Sequence, residues 1–190
     1  LMLGGDAVFF GVPSLLPTQM IEREPITVLV SRKGWIRAVK GHQADVSAVA
    51  FKGDDSLLIS LHAETTSKIL LVATNGRVFT LEASKLPGGR GFGEPVRLMA
   101  DLDEGADVFT VFVYKPGAKM LIASADGRGF VAPQDEMVGG TRKGKGLLSL
   151  DTGGRVAAAV SAAEAEILTG RENLRRVETQ VLGSVITAYV

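Results

Sequence analysis

The sequence predicts an all-β protein, either propeller-like or a sandwich, and three observations lead there. One strand–turn–strand plan occurs three times, at Val28–Arg37, Leu71–Phe79 and Leu121–Phe130. Each copy has a short apolar run, a turn ending in glycine, a second run, and a basic residue just past the turn. The turn glycines Gly34, Gly76 and Gly127 lie 42 and 51 residues apart. A period near ~40–50 residues is that of blades around an axis, none able to bury its apolar face alone. Finally, turn residues recur about every 8–12 positions, and few apolar runs keep a helical period for more than two turns. Glycine is correspondingly abundant, 23 of 190 residues, as a fold with many tight turns requires.

The elements follow in order. Ile26–Val30 is a β-branched run entered from Pro25, which suits a buried strand. Ser31–Gly34 is its turn and Trp35–Val39 the returning strand. Gly53-Asp54-Asp55 marks a turn between the apolar runs Val46–Phe51 and Leu57–Leu61. Ile69–Ala73, Gly76–Leu81, Val108–Tyr114, Met120–Ala123 and Gly129–Ala132 continue the series. Two regions break it. Val156–Leu168, rich in Ala and Glu, has the composition of a short helix, and Arg171–Leu182 suits helix or strand. A fourth copy, if Gly170 marks it, is degenerate.

Composition narrows the classes. Apolar residues at 46% and charged residues at 22% describe an ordinary globular chain long enough to bury a core. The formal net charge is zero, which counts against a simple nucleic-acid binder. That average conceals segregation, however. Arg32, Lys33, Arg37 and Lys40 share a stretch free of acids, as do Arg142, Lys143 and Lys145, whereas Asp101, Asp103, Glu104 and Asp107 gather elsewhere. Absence of cysteine excludes disulfides and thiolate metal sites and predicts an intracellular protein. No apolar run reaches the ~20 residues of a membrane span. The segment 1–16 is apolar but contains Asp6 and lacks a basic start, so it is not read as a signal peptide. Position 1 is Leu, so the chain is expected to be a piece of a longer polypeptide.

The most specific local feature follows the second and third copies. Gly88-Gly89 and Gly139-Gly140 each begin 12 residues past a turn glycine, and basic residues follow: Arg90 in the first, Arg142, Lys143 and Lys145 in the second. Glycines permit close backbone approach to a phosphate and leave N–H groups free, while Arg and Lys supply charge. A flexible loop with solvated charges has the same composition, and neither stretch follows the strand-then-helix order of a dinucleotide site. Recurrence at matching positions favours the phosphate reading.

These residues resemble a known family, the C-terminal domain of the bacterial topoisomerase IV A subunit, close kin to the gyrase A subunit. Ser31-Arg32-Lys33-Gly34-Trp35-Ile36-Arg37, running to Lys40-Gly41-His42, looks like its first-blade motif. Leu86-Pro87, then Gly88-Gly89 and Arg90-Gly91-Phe92-Gly93-Glu94-Pro95, looks like the second; Gly127–Phe130 with Arg142–Gly146 looks like the third. The resemblance covers about residues 22–160. It implies a β-pinwheel, a propeller-like disc of strand-swapped Greek-key blades, over residues 22–190, with about four blades, the last degenerate or the disc incomplete. Residues 1–21 match no part of the family, and no last blade is legible in 167–190. The gyrase Gln-Arg-Arg-Gly-Gly-Lys-Gly box is absent from the first copy, which favours topoisomerase IV over gyrase.

What the resemblance implies is a non-catalytic domain that binds and bends duplex DNA on a basic rim. Its parent would pass one duplex through another in decatenation and supercoil relaxation, in the cytoplasm at the nucleoid. No cofactor is expected in this domain; ATP and Mg²⁺ would act on other segments. The partners would be the remainder of the topoisomerase IV A chain and the separate ATPase chain of the same enzyme, without membrane insertion. The expected DNA-binding residues are Arg32, Lys33, Arg37, Lys40, Arg77, Arg90, Arg128, Arg142, Lys143 and Lys145. With about six phosphate contacts, affinity would fall about a thousandfold or more between about 50 and 200 mM salt, and charge reversal at Arg142 and Lys143 would weaken binding to every sequence alike.

Other residues carry less. Trp35 beside Arg37 could stack on a base but, in an apolar run, is assigned to the core. His42 fits a phosphate contact or an inert turn equally, and His62 reads as structural. Tyr114 ends an apolar strand and reads as packing; neither it nor Tyr189 sits in a context like that of a topoisomerase nucleophile. No nucleophile–base pair or His-rich zinc pattern exists, and the Asp101–Asp107 acids read as solvated rather than metal-ligating. The alternatives are a gyrase A C-terminal domain wrapping DNA, a protein-interaction β-propeller whose rim candidate would be Trp35, and an all-β enzyme with a channel acid cluster.

Overall fold

The structure, a computed structural model, describes residues 20–150 and 153–161. The strand–turn–strand copies fold into three antiparallel hairpins. β1 (Pro25–Ser31) turns into β2 (Trp35–Lys40), β4 (Lys68–Ala73) into β5 (Arg77–Glu82), and β8 (Lys119–Ser124) into β9 (Gly129–Pro133). Each turn closes in the same way. The N–H of the turn glycine donates to the carbonyl three residues back, Gly34 to Ser31 at 3.0 Å, Gly76 to Ala73 at 3.0 Å and Gly127 to Ser124 at 3.1 Å. The three glycines have φ of 81°, 84° and 88°, a left-handed backbone in which a Cβ is strained, so the period seen in the sequence is a geometric requirement.

Every hairpin recruits the strand that follows its own blade. β3 (Leu57–Glu64) pairs with β1, β7 (Val108–Val113) with β4, and β11 (Val156–Ser161) with β8. Each of these pairings slips register at the end of the hairpin's first strand, at Val30/Ser31, at Val72/Ala73, and opposite Ser124 and Ala123. A bulge there bends the strand into the turn. The repeat thus extends to its irregularities.

The fourth strand of a sheet arrives from the next blade. After β5, the connector runs back to place β6 (Glu94–Pro95) beside β2, giving the order β3-β1-β2-β6. After β9 and the single turn α1 (Gln134–Met137), the next connector places β10 (Lys145–Gly146) beside β5, giving β10-β5-β4-β7. The third sheet has the order β11-β8-β9 among the described residues. This is strand exchange between successive blades.

Two apolar layers lie between the three sheets. On β4, Ile69, Leu71 and Ala73 meet Ile26, Val28, Val30, Phe79 and Val111 in the first layer. Leu70 and Val72, pointing the other way, meet Met120, Ile122 and Val156 in the second. All five β4 residues are fully buried, so the strand reads as a continuous apolar run rather than an alternating one. Each large side chain so buried contributes about 1.5–3 kcal/mol.

Two expectations are corrected. Val156–Ser161 is strand β11, not the start of a helix: its ladder with β8 overrides the helix preference of its alanines. Val46–Phe51 forms no strand; both edges of the first hairpin are already taken by β3 and β6, leaving that run no ladder to join. The two-residue strands β6 and β10 have no apolar pattern to announce them. Residues 1–19, the Arg171–Leu182 segment and the degenerate fourth copy at Gly170 lie outside the described residues.

Candidate nucleic-acid interface

The glycine-rich connectors are the strand-exchange segments. The first lies flat on the neighbouring sheet. A Cβ on Gly93 would sit 2.2 Å from the Ile36 carbonyl oxygen, and one on Gly89 would sit 2.9 Å from Val39 Cγ1. In the second, a Cβ on Gly144 would be 2.7 Å from the Phe79 ring and 2.8 Å from the Val78 oxygen. Gly93 and Gly144 also have positive φ, 83° and 68°. Gly89, Gly93 and Gly144 therefore serve a close approach to protein, whereas a Cβ on Gly88 or Gly140 would meet nothing within 4 Å. The cationic side chains of the same loops, Arg90, Arg142, Lys143 and Lys145, are exposed.

Arginines pin both connectors from beneath. Arg37 is buried, 7% exposed, and its guanidinium donates to the Gly91 carbonyl and, at 2.7 Å, to the Ala50 carbonyl, with the Phe51 ring centroid 5.7 Å away. Its assignment to DNA is corrected: a guanidinium enclosed by carbonyls cannot reach a phosphate. Arg77 donates from Nε and Nη2 to the Lys143 carbonyl at 3.1 and 2.8 Å. It is a half-exposed clamp on the second connector.

The remaining candidates divide by whether their charge is already met. Lys33 pairs with the Asp54 carboxylate, and its backbone N–H donates to Asp55 at 3.1 Å. The hydrogen bond to Asp54 raises the Lys33 pKa, and the same bond lowers that of Asp54. A stretch without acids in the sequence thus acquires them by folding. Arg128 pairs with Asp126 at 2.6 Å; Asp126 is lowered by the Ser124 hydroxyl first and then by Arg128. Arg142 donates to the Leu98 carbonyl at 2.7 Å and lies 3.4 Å from Asp101. Lys145 donates to the Glu136 carbonyl. Arg32, Lys40, Arg90 and Lys143 are exposed and make no side-chain bond or ion pair among the described residues. Among the ten candidates, these four are the cations whose charge no described residue meets.

Trp35, assigned to the core, is instead half-buried, with Lys52 Nζ 4.7 Å from its ring centroid. The two histidines stack, centroids 4.5 Å apart and planes within 4°, with His42 Nε2 at 3.0 Å from the Ala63 oxygen and His62 Nε2 at 2.9 Å from the Gln43 oxygen. That contact ties the 42–43 turn to β3, a structural use that agrees with the reading of His62 and decides that of His42, whose surroundings in sequence fitted a phosphate contact equally. Tyr114 packs on the second layer and donates to Asp135. Asn75 and Arg142 engage Asp103 and Asp101, and no group of three or more His, Asp or Glu suited to a metal occurs among the described residues. No described helix is long and apolar enough to cross a membrane.

No protein-family model matches the chain. It is similar to the A subunit of DNA topoisomerase 4 from Caulobacter vibrioides, 45% identical over 135 residues, 71% of this chain and 18% of that protein. The protein of the same name in Rickettsia bellii is 39% identical over 136 residues, 72% of this chain and 18% of that protein. The chain therefore spans under a fifth of the length of these curated relatives. Among solved structures, the Escherichia coli ParC C-terminal domain superposes with a TM-score of 0.69 at 32% identity, covering 73% of this chain and 56% of that one.

Proposed function

The chain belongs to the family of DNA topoisomerase 4 A subunits, sharing the β-pinwheel of their C-terminal domain, and from this and its surface we propose that it binds and bends duplex DNA without chemistry of its own. In the whole enzyme it would steer a DNA segment toward strand passage, at the nucleoid. Cleavage, ATP and Mg²⁺ would be handled by the remainder of the A chain and by the separate ATPase chain.

One observation carries the reading. Successive blades present the same connector, pinned by an arginine beneath and bearing a free cation above: Arg90 in the first, Lys143 in the second. Arg32 in a hairpin turn and Lys40 at the end of β2 add to them. Cations on a fixed backbone meet phosphates without ordering a loop first, and phosphate contacts need no base sequence. Bending ~20–30 base pairs costs about 1–6 kcal/mol, a sum several phosphate contacts can offset.

Four contacts rather than six set the magnitude. The slope of log affinity against log salt is then about −3.6, so affinity falls about 150-fold between about 50 and 200 mM salt. Fluorescence anisotropy with duplexes of unrelated sequence measures this directly. A slope near zero, or binding confined to one sequence, overturns the proposal.

A further inference from the structure

Phe92 occupies the tip of the first connector, and its surroundings are unusual for a phenylalanine. It belongs to neither apolar layer and is 43% exposed. Its mount is rigid. Gly91 and Gly93 flank it with φ of 78° and 83°, the Gly91 carbonyl is held by Arg37, and Gly93 has no clearance above the Ile36 carbonyl. Immediately beyond, Glu94 and Pro95 are locked into the ladder with β2. The backbone is therefore fixed on both sides of an aromatic ring that packs on neither layer.

Position matters as much as exposure. Gly93 and Gly144 play the same part in successive connectors, so Phe92 and Lys143, each one residue earlier, are equivalent tips. One tip is a free cation. The other is apolar, with the free cation Arg90 two residues before it. On the surface proposed to face phosphates, an apolar ring has no phosphate to hold, and its natural counterpart is the stacked bases that the phosphates enclose. Proteins that bend DNA insert such rings between base pairs from the minor groove, kinking the duplex by ~20–90° toward the major groove.

We propose that Phe92 is a wedge that enters a base step from the minor groove, with Arg90 and Lys143 holding nearby phosphates, so that bending is localised at this tip. This rests on the DNA-binding reading above and adds to it the residue that makes the kink. Unstacking is easiest at pyrimidine–purine steps, so a kinked TA or CA step is favoured over an A-tract although no base edge is read.

The test uses the 190-residue chain and duplexes of about 30 base pairs, long enough to bend appreciably. Donor and acceptor dyes on the duplex ends report bending, and 2-aminopurine replacing an adenine at successive steps reports unstacking. The parent chain should shorten the end-to-end distance and brighten 2-aminopurine at one step. F92A should abolish the brightening and most of the shortening while keeping the salt slope, and F92L should retain a large part of both. An F92A complex that bends and brightens like the parent overturns the wedge, as does a parent complex with no brightening at any step, whatever the variants do. Either result leaves DNA binding standing if the salt slope remains steep. A parent chain that does not bind duplex at all overturns both proposals.

Discussion

Replacing Gly93 by alanine probes the strand exchange at its tightest point. Two costs add. A left-handed backbone at a non-glycine residue costs about 1–2 kcal/mol, and Gly93 has φ of 83°. Crowding adds about 1–3 kcal/mol, the range for inserting a methyl into a packed site, because the new Cβ would lie 2.2 Å from the Ile36 oxygen and 2.9 Å from Arg37 Cβ. Against these, alanine narrows the unfolded ensemble and returns about 0.4–1 kcal/mol. G93A should therefore lose about 1–4.5 kcal/mol, centred at ~3. Gly117 supplies the control: its φ is 74°, yet a Cβ there would meet nothing within 4 Å. G117A keeps only the backbone cost less the entropy gain, about 0–1.6 kcal/mol. Urea unfolding of both variants, with m-values compared to the parent, reads the difference. Equal losses in G93A and G117A would mean that the connector does not lie on β2, and the exchange of β6 between blades would be refuted.

Two further predictions concern the pins and the acids. R37A removes two charge-assisted bonds to carbonyls from a buried site and should cost about 2–4 kcal/mol in urea unfolding; R37K should recover little of it, since an ammonium lacks the planar fork that reaches both carbonyls. For pH, the sign follows from Asp54, Asp126 and Asp135, whose pKa values are all lowered on folding by hydrogen bonds, chiefly from Lys33, Ser124 and Tyr114 respectively. Their stabilising contribution is fully present above the ordinary carboxylate range and disappears as pH falls through the lowered values, so the melting temperature should be flat near neutrality and decline below about pH 4.

The parts of this fold that could be read from the sequence are those with a local cause. The turns at Gly34, Gly76 and Gly127 need a left-handed residue, and glycine at a fixed period says so. β1 is rich in β-branched residues and β4 is apolar from Ile69 to Ala73 because both of their faces are covered. Pairing at a distance is harder to read. β6 and β10 are two residues each, held by a ladder rather than by composition, and the glycines before them signal contact with the preceding sheet as readily as contact with a phosphate. β11 is alanine-rich and becomes a strand only because β8 offers an edge. For the interface, residue type identifies the cations but not their company. Lys33, Arg128 and Arg142 meet acids that only folding brings near or that lie in the same turn, and Arg37 turns inward to carry a connector. The exposed wedge candidate Phe92 stands inside the most distinctive motif, where its glycine neighbours are the available signal.

The central claim is that pinned connectors hold their free cations against the DNA backbone, and the salt dependence of duplex affinity in R90E/K143E tests it most directly. Loss of two phosphate contacts should flatten the slope of log affinity against log salt by about 1.8, equally for duplexes of any sequence, with the melting temperature unchanged. A slope identical to the parent's would contradict the claim and move DNA, if bound, to another surface.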